Sequence, residues 1–178
     1  MLVRRRAAVV IAIFRIAPHG IVFVERAAHL RDHPGQIGLP GGGVHPEDRD
    51  LEATALRELH EEVGIEPARA TIVAQLPMLQ QRLVNNFDVT PFVAVVEPGE
   101  LTIHAAETAG VFVVPLAALL DPGLRKGSVE HRGIRVRSLV LDYEGHRIWG
   151  LTARILDSFV AGWEQRGLRA RVTPYLTV

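Results

Sequence analysis

The sequence predicts a layered α/β or α+β domain. Three observations predict it: short β-branched apolar runs recur along the chain, two segments repeat their apolar residues at helical spacing, and apolar residues are plentiful enough to fill a core between layers. Of 178 residues, 48% are hydrophobic and 22% charged, which supports a core and argues against global disorder. A single domain is expected over residues 1–178, with its core at 7–165 and residues 166–178 as a C-terminal extension.

The first apolar run, Ala7–Phe14, follows Arg4, Arg5 and Arg6 and so imitates a secretory signal. Arg15 interrupts it and no small-residue cleavage site follows, so a first buried strand is the better reading. Gly20–Glu25, Thr71–Leu76, Phe87–Val96 and Val111–Val114 read as further buried strands. Between them lies a helix, with Asp50 suited to its N-cap and Gly64 to its C-terminal stop. At about 100° per residue, Leu56, Leu59 and Val63 share one face, and Glu58, Glu61 and Glu62 gather on the opposite side. Ile134, Val136 and Val140 share a parity that predicts a half-buried strand, and Glu144-Gly145 predicts a hairpin turn back to Ile148. Leu151, Ile155, Phe159 and Trp163 recur every fourth residue and predict a second helix, with Thr152 as its cap or first residue. Leu168–Val178 stays open between an extra strand, a dimer contact and a loose tail.

Composition removes several classes of function. The formal net charge is zero, which gives no push toward nucleic acid or an acidic membrane. There is no cysteine, so disulfides, thiolate zinc sites and a cysteine nucleophile are excluded, and a reducing cytoplasm is the expected location. No segment reaches the ~18–20 apolar residues of a membrane span; Val111–Leu120 is short and contains Pro115. His29, His33, His45 and His60 match no zinc spacing. No Gly-Lys-Ser/Thr follows the glycines, and no Gly-x-Ser-x-Gly elbow occurs.

Glu58, Glu61 and Glu62 are the informative group. Like charges one helical turn apart repel by a few tenths of a kcal/mol, and a shared hard cation such as Mg²⁺ or Mn²⁺ is a natural reason to keep them. Upstream, Gly41-Gly42-Gly43 allow backbone to approach a metal or a phosphate closely. Taken alone, the three glutamates also fit a solvated acidic face after a glycine turn.

The whole string narrows the choice. Gly43, then five residues, Arg49, seven residues and Arg57-Glu58-Leu59-His60-Glu61-Glu62-Val63-Gly64-Ile65 resembles the Nudix box, departing only at Arg49, where that box has a glutamate. The resemblance implies an α/β/α sandwich with a mixed sheet, a loop–helix–loop motif, and metal-dependent hydrolysis of a diphosphate. It implies that Glu58, Glu61, Glu62 and the Gly42 carbonyl bind the metal, and that Arg57 orients the glutamates. Glu107 is a candidate for a distant catalytic carboxylate. Arg49 is expected to repel Arg57, with Asp48 or Glu47 reaching in for the missing glutamate.

Residues 26–42 carry a second resemblance. Arg26, Ala27, Arg31, Gly35, Pro40, Gly41 and Gly42 resemble the extra signature of the coenzyme A diphosphatase branch, with Leu39 for its usual Phe and Phe23-Val24 for a Leu-Thr pair. Trp149-Gly150-Leu151-Thr152 is similar to that branch's entry into its C-terminal helix. The branch implies cleavage of coenzyme A into 4′-phosphopantetheine and 3′,5′-ADP. Arg26 and Arg31 would then contact phosphate, with Gly35, Gly41 and Gly42 lining the substrate, because a guanidinium forks onto phosphate oxygens. Both arginines also fit a structural role in the loop. The alternatives are another Nudix hydrolase acting on ADP-ribose, a dinucleotide or a nucleoside triphosphate, and a non-catalytic module of the same fold. The expected partner is a small-molecule substrate, with no nucleic acid or membrane and with a homodimer open.

Overall fold

A computed structural model describes residues 4–29, 34–81, 86–103, 108–131 and 133–177. In chain order the elements are β1 (Arg5–Phe14), β2 (Gly20–Arg26), β3 (Ile37–Gly38), β4 (Gly41–Gly43), α1 (Leu51–Val63), β5 (Ala70–Gln75), β6 (Leu79–Gln81), β7 (Phe87–Val96), β8 (Thr108–Pro115), the single turn α2 (Leu116–Ala118), β9 (Arg125–His131), β10 (Ile134–Tyr143), β11 (His146–Trp149), α3 (Gly150–Gln165) and α4 (Leu168–Val172).

The main sheet is mixed. Strands β1 and β7 run parallel in register from Arg5↔Phe87 to Phe14↔Val96. The path β3-β2-β1-β7-β5 is otherwise antiparallel, with β4 on β1, β6 on β7 and β8 on β2. Alternation along β1 divides the core in two. Ala8, Val10 and Ala12 face α1 and pack with Ala55, Leu59, Val63 and Ile65. Ile11 and Ile13 face the other way, toward Ile155, Leu156 and Phe159 of α3. Helices thus cover both faces of a mixed sheet, the α/β/α arrangement implied by residues 43–65. The small side chains Ala8, Ala12, Ala55 and Ala94 form much of the α1 layer, which suits a helix lying close to the sheet.

Helix α1 is stopped at both ends as its sequence predicts. Asp50 caps it by accepting from Ala53 N at 2.7 Å, and Gly64 takes the left-handed conformation at φ 71°. Its core stripe is rotated from the expected one: Ala55 is fully buried with Leu59 and Val63, whereas Leu56 is half-buried. Small Ala55 is as much a core residue as the leucines because the helix approaches the sheet there.

The antiparallel sheet β11-β10-β9 covers the α3 side. Along β10 burial is graded and not uniform, from Ile134 at 67% exposed to Val140 at 1%. Ile134, at the start of β10, lies outside the core, so parity alone misjudges it. Trp149 stands extended ahead of α3, and Thr152 does not cap it; its hydroxyl donates to Ile37 O at 3.1 Å, tying α3 to β3. The C-terminal stretch is neither an extra strand nor a loose tail. It opens as α4, burying Leu168 and Val172, and Thr177 bridges to Ile16 in the turn after β1.

Candidate metal and diphosphate site

Strand β4 and helix α1 build the site. Gly41, Gly42 and Gly43 pair with Val9, Ala8 and Ala7 of β1, which lays the glycines directly beneath α1. Two of them must be glycine for separable reasons. Gly41 has φ 155°, and a side chain there would strike the backbone of Ala8 and Val9. A Cβ on Gly42 would overlap the carboxylate of Glu58.

The three glutamates differ sharply in environment. Glu62 is only 7% exposed and accepts from Gly41 N at 3.0 Å, so helix and glycine strand are joined by a carboxylate. This places Glu62 at the margin of the core and not away from it, because the core stripe is centred on Ala55, Leu59 and Val63. Glu58 is largely buried above Gly42, with its side chain 13% exposed, and burial raises its pKa against the pull of Arg57. Glu61 is half exposed at the rim.

Arg57 joins these carboxylates. Its Nη1 donates to Glu58 Oε1 at 2.9 Å and Glu61 Oε2 at 2.8 Å, and its Nη2 donates to Gly43 O at 3.0 Å. Asp48 grips the other edge, accepting from Nε at 2.9 Å and Nη2 at 3.0 Å. The guanidinium holds the Asp48 carboxyl far below the usual carboxylate range, and Asp48 raises the pKa of Arg57 in return. Arg49 therefore does not confront Arg57: its side chain is 78% exposed and pairs with Asp50. Glu47 is exposed, so Asp48 and not Glu47 fills the place of the missing glutamate.

Thr54 escaped the sequence reading. It is fully buried, and its hydroxyl donates to Asp48 Oδ2 at 2.8 Å. The available signal was its place in the first turn of α1, one turn before Arg57 on the same side.

Ahead of the glycine strand, the end of β2 is tied by backbone hydrogen bonds to the residues that lead into β3. Arg26 N donates to Gln36 O and Gly35 N donates to Arg26 O, both at 3.0 Å, and Gly35 has φ 67°. Arg31 and Glu107 lie outside the described residues. Among the described residues no three His, Asp or Glu side chains form a ready-made metal cage. The donors nevertheless suit a hard divalent ion: all are oxygens, and Gly42 leaves room over its backbone for the Glu58 carboxylate. Mg²⁺ in particular keeps several waters and binds through one or two carboxylates plus substrate phosphates.

Fold and site define a class: an α/β/α sandwich whose loop–helix–loop gathers carboxylates above a glycine strand. The chain belongs to the Nudix family, since the NUDIX domain model matches residues 3–132, well over half of it. The uncharacterized Nudix hydrolase NudL of Enterobacter sp. (strain 638) is 40% identical over 156 residues, covering 86% of this chain and 80% of the relative. That of Cronobacter sakazakii is 39% identical over the same length and coverage. Among solved structures, the NUDIX domain of Shewanella oneidensis NrtR complexed with ADP ribose aligns at TM-score 0.55 and 22% identity, covering 67% of this chain and 78% of that one. A C. elegans Ap4A hydrolase binary complex aligns at TM-score 0.54 and 20% identity, covering 65% of this chain and 83% of that one. RenU, a Nudix hydrolase from M. smegmatis, aligns at 0.56 and 18% over 100% and 91%. The chain is a Nudix hydrolase, an enzyme acting on a pyrophosphate linkage, and enzymes of this family generally use divalent metal ions. No helix among the described residues is long and apolar enough to cross a membrane.

Proposed function

We propose that this enzyme hydrolyses the diphosphate of coenzyme A or a derivative, giving 4′-phosphopantetheine and 3′,5′-ADP, with Mg²⁺ or Mn²⁺ held by Glu58, Glu61, Glu62 and the Gly42 carbonyl. One observation supports the substrate reading: of the residues that resemble the coenzyme A branch, Arg26 at the end of β2 is joined by backbone hydrogen bonds to Gln36 and Gly35, and the chain runs on from there through β3 into the glycine strand under Glu58. In this reading Arg26 and Arg31 take phosphate oxygens, and Gly35, Gly41 and Gly42 let backbone approach the substrate.

The bound ion would neutralise the diphosphate and lower the pKa of its water. The chain's own contribution is placement. Arg57 sets Glu58 and Glu61 by sharing Nη1 between them. Glu62, bonded to Gly41 N, fixes the glycine strand against the helix. Such fixed geometry supplies orientation for in-line attack. Glu107 is the distant carboxylate proposed to assist the attacking water.

Chromatographic product analysis tests the reading, with coenzyme A, ADP-ribose and NADH offered separately in Mg²⁺ or Mn²⁺. Metal-dependent release of 3′,5′-ADP from coenzyme A, far faster than turnover of the others, is expected. Glu62→Gln should abolish most of that turnover while remaining folded. Preferred cleavage of ADP-ribose or NADH would keep the Nudix chemistry and reject coenzyme A.

A further inference from the structure

Arg4, Arg5 and Arg6 stand at the start of β1, and the fold uses the first two differently. Arg4 is committed within the protein: its Nε donates to Asp88 Oδ1 at 2.6 Å and its Nη2 to Phe87 O at 3.4 Å. Arg5 lies directly across from Phe87 in the parallel pair β1–β7. Its side chain is exposed, and its guanidinium carbon rests 4.6 Å from the centre of the Phe87 ring.

Phe87 links Arg5 to the diphosphate site. Its Cε1 lies 4.0 Å from where a side chain on Gly43 would begin, and among the described residues nothing else comes within 4 Å of that point. Gly43 pairs with Ala7, two residues along β1 from Arg5, or about 7 Å at the rise of a strand. Successive strand residues face opposite sides of a sheet. At Gly42 the side-chain direction is filled by the Glu58 carboxylate, whereas at Gly43 it opens toward Phe87. The glycine strand thus has carboxylates on one side and, on the other, a ring carrying a planar cation.

A guanidinium resting on a ring keeps its outer face and N–H edges for a ligand. Nucleobases stack on aromatic rings and on arginine planes alike, and their ring nitrogens accept from N–H donors. A phosphate would use the charge but not the ring. We infer that Arg5, supported by Phe87, is a specificity-determining residue that takes the base of a nucleotide substrate, with the diphosphate lying across the glycine strand and the base at the Arg5–Phe87 end of β1 and β7. The inference rests on the proposed reading of the substrate as a nucleoside diphosphate derivative, whatever group forms its other half.

The test is calorimetric titration with 5′-AMP and with ribose 5-phosphate, which lacks the base, beside steady-state kinetics on coenzyme A, ADP-ribose and NADH. The parent should bind AMP at least tenfold more tightly than ribose 5-phosphate. Arg5→Ala should weaken AMP binding by about 10-fold, the effect of losing one stacking contact to a base. It should leave ribose 5-phosphate within about twofold, and it should raise KM for the substrate cleaved more than it lowers kcat. Arg5→Lys keeps the charge without the plane and should lose AMP binding as well. Arg6→Ala removes the same charge from the opposite face and should bind AMP like the parent. Arg5 and Arg6 are both exposed, so these variants should keep the fold. Equal weakening of AMP and ribose 5-phosphate in Arg5→Ala would make Arg5 a phosphate contact and overturn the inference. Parent-like AMP binding in Arg5→Lys, or an equal loss in Arg6→Ala, would reduce the effect to charge and overturn it too, as would a parent with no preference for AMP. Any of these results in a protein that still cleaves coenzyme A would leave the proposed function standing. A parent that cleaves no nucleoside diphosphate derivative would reject that function and this inference together.

Discussion

Four hydrogen bonds, two of them from the Arg57 guanidinium, leave Asp48 little affinity for a proton. Its pKa is held well below the ordinary carboxylate value, first by the bond from Arg57 and then by those from His45 N and Thr54, against the opposing effect of burial. The sign of the stability effect follows. Below about pH 4 the unfolded chain takes up a proton on this residue that the folded chain refuses. The contribution of Asp48 is therefore fully present above the ordinary carboxylate range and is lost as acid drives the pH toward its folded value. Urea unfolding measured from pH 6 down to pH 3 should show a shallower loss of stability in Asp48→Asn than in the parent, from a lower starting value. Parallel curves would mean that Asp48 titrates alike in both states. Glu58 behaves in the opposite sense, since burial raises its pKa despite Arg57. Its stabilising contribution belongs to the protonated form, present at low pH and lost as pH rises through the folded value. The ionised carboxylate is thus the form that a nearby cation would relieve.

At the scale of elements, the site depends on how closely α1 lies to β4. The Glu58 carboxylate occupies the space where a Gly42 side chain would be, so Gly42→Ala should displace it. Strand β4 lies against β1 with its pairing intact from Ala7 to Val9, so the fold should survive. The expected outcome is a thermal midpoint within a few degrees of the parent and a turnover reduced by more than tenfold, the loss typical when a positioned group moves by about 1 Å. Parent-like turnover in Gly42→Ala would detach Glu58 from the chemistry. The sequence shows some of these elements far better than others. Strand β7 agrees with its apolar run at both ends, and α1 is marked by Asp50 and Gly64, because burial and capping write local signals. Strands β3 and β4 leave no such mark: Ile37-Gly38 and Gly41–Gly43 have little side chain to pattern, and only pairing with β2 and β1 makes them strands. Strand β9 reads Arg-Lys-Gly-Ser-Val-Glu-His and α4 has five residues, too polar and too short to declare a period. The glutamate cluster was legible as spacing on a helix. The choice of Asp48 over Glu47 was not, because it depends on the turn at His45 and on buried Thr54.

Across the whole molecule, the two faces of the sheet divide the work. The α3 face carries the larger apolar cluster, including Ile11, Phe23, Ile155, Leu156 and Phe159, and α4 closes it with Leu168 and Val172. The α1 face carries the smaller cluster and, at its edge, the carboxylates. Metal binding on that edge should therefore be felt as folding stability, because it ties α1 to β4 and the unfolded chain has no such site. A ligand that binds only the folded state adds RT ln(1 + [L]/Kd), about 2.7 kcal/mol at 100 times Kd. For a chain of this size each kcal/mol moves the midpoint by roughly 2–4 °C. Saturating Mn²⁺ should then raise the thermal midpoint of the parent by roughly 5–10 °C. Glu58→Gln removes one proposed ligand while keeping its volume, so its midpoint should respond much less to the same metal. Calorimetry with and without Mn²⁺ decides the matter. A shift confined to the parent couples Glu58 to the cation, whereas equal shifts in both proteins would locate the stabilising ion away from the α1 face.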